Sequence, residues 1–106
     1  MSTAPESTKV LPRIITGQYT GSGTYGAEGK NSLTFPFVPK LVIIQGGDAY
    51  TRGILIYPST HACTYSYGTE STVAWNDASK TVSWYSTSSK NQLNTNGSLY
   101  HYVAIG

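Results

Sequence analysis

The chain has 106 residues, a net charge of +2, and 11% charged against 39% hydrophobic residues; globular domains usually carry roughly 25% charge, so this one must write its polar surface in Ser, Thr and Tyr. That length supports one domain around one core, which buries little more than half of the unfolded surface. The seven Lys and Arg residues are scattered, which speaks against a phosphate-tracking surface; the single Cys63 excludes an internal disulfide and fits synthesis in a reducing cytoplasm; no apolar run approaches the ~20 residues of a membrane-spanning helix.

Residues 1–11 are polar and aperiodic, without the basic and apolar regions of a signal peptide. They read as a flexible leader, or the stump of a longer protein, ahead of a head domain at 12–106. The first predicted strand is Arg13 to Tyr19, and Gly21 to Gly29 follows as a glycine-rich, flexible hairpin loop. Ser32 to Phe37 puts Leu33, Phe35 and Phe37 on one face, with Pro36 marking an edge strand or a bulge. Leu41 to Gln45 is continuously apolar through Ile44, the pattern of a strand buried on both faces.

Gly46-Gly47-Asp48 is a turn, and Thr51 to Tyr57 is a strand that Pro58 ends. Ala62 to Tyr67 is a weaker strand. Thr72 to Trp75 and Lys80 to Tyr85 form a hairpin closed by Asn76-Asp77-Ala78-Ser79. Ser86 to Asn96 is a polar loop carrying Leu93; Asn96-Gly97 is a turn signal, which suffices to explain the Asn96-Gly97-Ser98 acceptor pattern. Leu99 to Ile105 alternates as the last strand, whose apolar residues tie the end of the chain into a sheet. No window sustains helical periodicity. The prediction is an all-β, antiparallel β-sandwich of about 6–8 short strands.

Three motifs invite chemistry and lack its context. Gly21-Ser22-Gly23-Thr24-Tyr25-Gly26 matches a dinucleotide fingerprint, but no helical pattern follows to receive a pyrophosphate. His61 and His101 have no metal-ligand spacing to Cys63 or to an acid. A single His101 per chain would form a three-fold metal site only in a symmetric trimer. The acids Glu6, Glu28, Asp48, Glu70 and Asp77 all fall in predicted loops, unlike a carboxylate pair held at fixed separation on a frame. No catalytic residue, metal site or cofactor is assigned.

The aromatic load, nine Tyr and two Trp, is where recognition chemistry concentrates. Tyr and Ser provide contact area and hydrogen bonds at low entropic cost. Trp84, beside Val82, reads as core. Sugar recognition needs an aromatic face under the C–H side of a ring and planar groups for its hydroxyls. Trp75 with Asn76 and Asp77 supplies such a set, as does Asp48 with Tyr50 and Arg52, with Tyr65 and Tyr67 next to loops. Turn residues and sandwich filler are the competing explanation for each of them.

The stretches Ile14-Ile15-Thr16-Gly17-Gln18-Tyr19, Leu33-Thr34-Phe35-Pro36-Phe37-Val38-Pro39-Lys40-Leu41-Val42 and the closing Tyr102-Val103-Ala104-Ile105-Gly106 resemble the small C-terminal domains of bacteriophage and prophage tail fibres. The Phe-rich segment and the terminal aromatic-x-Ala-Ile-Gly are also similar to the H-type lectin family. The resemblance implies a homotrimeric head on a phage tail, made in the cytoplasm without a signal peptide, that binds cell-surface glycan. Other virion tail proteins are its further partners; nucleic acid and membrane insertion are not implied. Two rivals stay open: a structural domain that trimerises, caps or decorates without a ligand, and a small enzyme on cell-wall glycan.

Overall fold

The computed structural model describes residues 13–46, 51–65 and 69–106. The expected leader and the Gly47-Asp48 part of the predicted turn lie outside them. Eight strands form one antiparallel sheet: β1 (Ile14–Thr20), β2 (Asn31–Thr34), β3 (Leu41–Gln45), β4 (Arg52–Ile56), β5 (His61–Tyr65), β6 (Glu70–Asn76), β7 (Thr81–Tyr85) and β8 (Leu99–Ile105). The lateral order is β1-β8-β3-β4-β5-β6-β7-β2. The only helical piece among the described residues is a 3₁₀ turn, Ala27–Gly29. The all-β, antiparallel expectation holds, with the sheet curled into a half-barrel.

Curling follows from burial. On every strand of β3 to β7 buried residues alternate with exposed or half-buried ones, so each contributes one apolar side to a shared interior. Val42, Ile44, Leu55, Val73, Val82, Trp84, Tyr100 and Ala104 fill that interior, with Phe35 and Phe37 at one end and Leu93 at the other. Tyr19 on β1 meets Trp84 on β7 edge-on, ring centroids 6.3 Å apart, so strands distant in the lateral order face each other across the core.

Strands β3 to β7 follow one another as a meander, and three connections cross the ends of the half-barrel. Residues 35–40 cross at one end, burying Phe35, Phe37 and Pro39. Residues 21–30 and 86–98 cross at the other. The glycine-rich segment is therefore not the expected hairpin loop: β1 pairs with β8 and β2 with β7, on opposite edges. The predicted strand over Ser32 to Phe37 also stops early, at Thr34. The next residues, Pro36 among them, leave the sheet to plug its end; β2 does stand at an edge of the sheet, but Pro36 lies beyond it and is in neither an edge strand nor a bulge.

Gln92 holds the two crossing segments together. Its side chain is fully buried; Oε1 accepts from the backbone N–H of Gly26 and Ser86 (3.1 and 2.9 Å), and Nε2 donates to Gly29 O and Asn31 Oδ1 (2.8 and 2.9 Å). Its carbonyl takes the indole N–H of Trp84 at 2.8 Å. Asn94 does the same one turn on, accepting from Ser22 N and donating to Thr24 O. A buried polar group is tolerated because each donor and acceptor has a partner.

Register sets the outer surface. Ile14, Ile105, Leu41 and Ile56 lie side by side across β1, β8, β3 and β4; Thr16, Val103, Ile43 and Ile54 form the next row, and Gln18, His101, Gln45 and Arg52 the third. The expectation that β3 is buried on both faces is corrected: Val42 and Ile44 are buried, Ile43 is exposed. A run of apolar residues does not say what covers its second face.

Candidate functional site

Two short connections and a hairpin tip meet at the end of the half-barrel plugged by Phe35 and Phe37. The backbone N–H of Tyr57 bonds to Lys40 O, which fixes the exit of β4 against the start of β3. The Tyr57–Pro58 peptide bond is cis. The β6–β7 tip is an ordinary tight turn: Asn76 Oδ1 accepts from Ser79 N at 3.1 Å, and Lys80 N reaches Asp77 O. Lys80 itself has a φ of 57°, the left-handed value that lets the chain re-enter β7.

These supports bring Tyr57, Trp75 and Asp77 together. Tyr57 Oη donates to Asp77 Oδ2 at 2.7 Å. The Tyr57 and Trp75 rings meet edge to face, centroids 5.3 Å apart, within the favoured range for such pairs. The indole N–H of Trp75 donates to Ser59 O at 2.8 Å, which fixes the ring plane. The Lys40 ammonium lies 4.6 Å from the Tyr57 ring centroid. The Asp77 carboxylate, by accepting a hydrogen bond from the phenol, raises the Tyr57 hydroxyl above the usual phenol range; desolvation and then the negative charge of Asp77 add to it.

The arrangement offers two rings held at right angles, a carboxylate with one oxygen committed, and an ammonium, all at a solvent-facing rim. That is the chemistry of an amphipathic, hydroxyl-bearing ligand: an apolar face on the rings and hydrogen bonds to charged groups. Asn76 contributes less than its sequence context suggests, since its carbonyl oxygen is spent on the turn.

The other candidates separate from this cluster. Arg52 and Tyr65 are register partners across β4 and β5, at the opposite end of β4 from Tyr57, about 16 Å away along the strand. The Lys90 ammonium lies 5.0 Å from the Tyr65 ring centroid. Asp48, Tyr50 and Tyr67 lie outside the described residues. The eight sequence candidates therefore do not form one site: Trp75, Asn76 and Asp77 share one end, Arg52 and Tyr65 the other. Tyr57 and Lys40 belong to the first cluster and were not among them. Position 57 continues the alternation of Leu55 at the end of the predicted strand and carries no local sign of a site.

His61 Nδ1 lies 2.7 Å from Glu70 Oε2, both side chains well exposed on the outer face of β5 and β6. His101 stands in the polar third row on β8, among the residues lining a shallow groove with Gln18, Gln45 and Val103. No helix among the described residues is long and apolar enough to cross a membrane. Set against known proteins, the chain matches no family model, no characterised protein and no solved structure.

Proposed function

We propose that this domain is a non-enzymatic attachment head of the phage-tail type that recognises cell-surface carbohydrate as a homotrimer. The observation that carries the proposal is the rim cluster of half-buried Tyr57 and Trp75 with exposed Asp77, whose rings and carboxylate are fixed by hydrogen bonds before any ligand arrives. Preorganisation lowers the ordering cost of binding, which matters for a small polar ligand with little area to bury. Each site alone would bind weakly. Three on one rigid tip gain from effective concentration, the usual route by which glycan binders reach useful avidity.

The test is a glycan array probed at high surface density with wild type, Trp75→Ala and Asp77→Ala. Signal from the wild type that both substitutions abolish supports the proposal. A blank array from a folded wild-type protein counts against it. A second reading, a structural domain that assembles or caps a fibre without a ligand of its own, draws support from the aliphatic outer face of β1, β8, β3 and β4. A blank array with an intact assembly favours that reading.

A further inference from the structure

We infer that the outer face of β1, β8, β3 and β4 is covered by a second copy of this chain. The inference rests on the oligomeric half of the reading above and not on its carbohydrate half. Two outer faces of the same sheet carry opposite compositions. Across β2 and β7 the exposed side is written in hydroxyls: Ser32 bonds Ser83 and Thr34 bonds Thr81, each at 2.8 Å, with Thr72 outward on β6. This is how a solvated strand face is made. Across β1, β8, β3 and β4 the same sheet shows solvent Ile14 at 58% exposure, Ile43 at 41%, Ile54 at 49% and Ile56 at 57%.

The aliphatics are contiguous because register aligns them. With strands about 4.8 Å apart and same-face rows about 6.8 Å apart, two rows across four strands span roughly 260 Å² in projection, and roughly 400 Å² with the polar third row. Patches of a few hundred Å² are the largest that typical monomers expose, and they are often functional. The larger figure is about half of the ~800 Å² each partner contributes to a stable complex, before side-chain relief and flanking turns are counted.

Composition selects the occupant. Interfaces with exchangeable partners are about as polar as ordinary surface, whereas those between identical subunits have the more apolar character seen here. The two aliphatic rows hold no charge, and Arg52 stands at the margin, so two copies of a +2 chain can meet there without opposing like charges at the centre. Residues 1–13, ahead of β1, are a poor alternative: their bulky branched aliphatics are Val10 and Leu11 alone. Association would also remedy the thin core of so small a domain.

Light scattering on the full chain, wild type against Ile43→Glu/Ile54→Glu, tests this. Both positions are exposed, so the fold should survive, and far-ultraviolet circular dichroism checks it. The wild type is expected as an oligomer and the variant as a folded monomer, while Ser83→Glu on the hydroxyl face leaves assembly intact. Should the double variant unfold, Ile54→Thr replaces it, with a dissociation constant raised tenfold or more; the wild-type melting temperature should also climb with protein concentration. A monomeric wild type, an oligomer that ignores these substitutions, or a monomer that binds lipid vesicles through this face overturns the inference. Glycan binding scored on the same samples reports separately on the carbohydrate proposal.

Discussion

Tyr57 and Asp77, 20 residues apart in the chain, share a 2.7 Å hydrogen bond at the rim of the half-barrel. Strands β5 and β6 intervene, so the bond exists only once the meander has formed. Because the carboxylate stabilises the protonated phenol, Asp77→Asn should let Tyr57 ionise at lower pH. An ultraviolet titration of wild type, Asp77→Asn and Tyr57→Phe checks this: the step absent from Tyr57→Phe should move to lower pH in Asp77→Asn. No movement would mean that the pair does not form in solution. Glycan affinity in Tyr57→Phe should fall less than in Trp75→Ala, since the ring remains and only the anchor to Asp77 is lost.

Gln92 makes four side-chain hydrogen bonds from a fully buried position, and no other residue type has both the reach and the two-sided chemistry. Gln92→Ala leaves the N–H of Gly26 and Ser86 and two acceptors to be rehydrated, at a cost of about 3 kcal/mol or more given ~1–3 kcal/mol for each group left unsatisfied. Gln92→Glu is the sharper experiment. It keeps an acceptor toward the two N–H groups but turns a second carboxylate oxygen toward Gly29 O and Asn31 Oδ1. Its folded-state carboxyl would therefore be protonated more readily than in the unfolded chain, and stability should rise as pH falls from 7 toward 4. Urea midpoints across that range decide it.

What the residues disclosed depends on whether a feature was local. Strand β8 was legible to the residue, because Asn96-Gly97 marks a turn and Leu99 to Ile105 alternates; the β6–β7 hairpin was legible for the same reasons. Trp84 as core was equally plain. Gln92 was hidden, since a polar residue in a polar loop gives no sign that two crossing segments will close around it. Tyr57 was hidden by its neighbours' alternation. Strand β3 was misread because a run of apolar residues does not say whether the rest of the chain covers its second face, and exposed Ile43 shows that it does not. Of the candidate site, the half carried by contiguous residues, Trp75 to Asp77, was visible; the half contributed by Lys40 and Tyr57 needed the topology.

Two glycines in one crossing segment should answer differently to the same substitution. A Cβ on Gly21 would lie 2.0 Å from Thr95 O, a backbone atom held by the Ser98 N–H, whereas one on Gly26 meets nothing within 4 Å. Gly26 instead has a φ of 84°, which side-chain-bearing residues tolerate poorly. Gly21→Ala should thus cost at least about 3 kcal/mol, at the upper end of overpacking, or displace the segment, and Gly26→Ala, at a φ of 84° and ψ of 177° that glycine alone adopts readily, about 1–3 kcal/mol of backbone strain. Melting temperatures of the two variants give the ranking. A reversal would mean that the 21–30 and 95–98 segments are not packed together as described.

Tyr19 predicts how the fold fails in alkali. Its ring stacks on Tyr100, centroids 5.1 Å apart, and its hydroxyl donates to the carbonyl of Leu93 at 2.8 Å. Burial, followed by the nearby Tyr100, pushes the phenol far above its ordinary value, with a hydrogen bond involving Asn31 opposing them. The folded value exceeds the unfolded one near 10, so the contribution of this group is intact below about pH 10 and lost progressively as pH climbs higher, by up to roughly 1.4 kcal/mol per unit. Tyr19→Phe gives up the bond to Leu93, about 1 kcal/mol at neutral pH, but has no phenol to ionise. Its stability should fall less steeply above pH 10, so that the gap between the two proteins closes near pH 11. Urea denaturation at pH 8, 10 and 11 measures this, and parallel losses in both proteins would show that another group governs the alkaline transition.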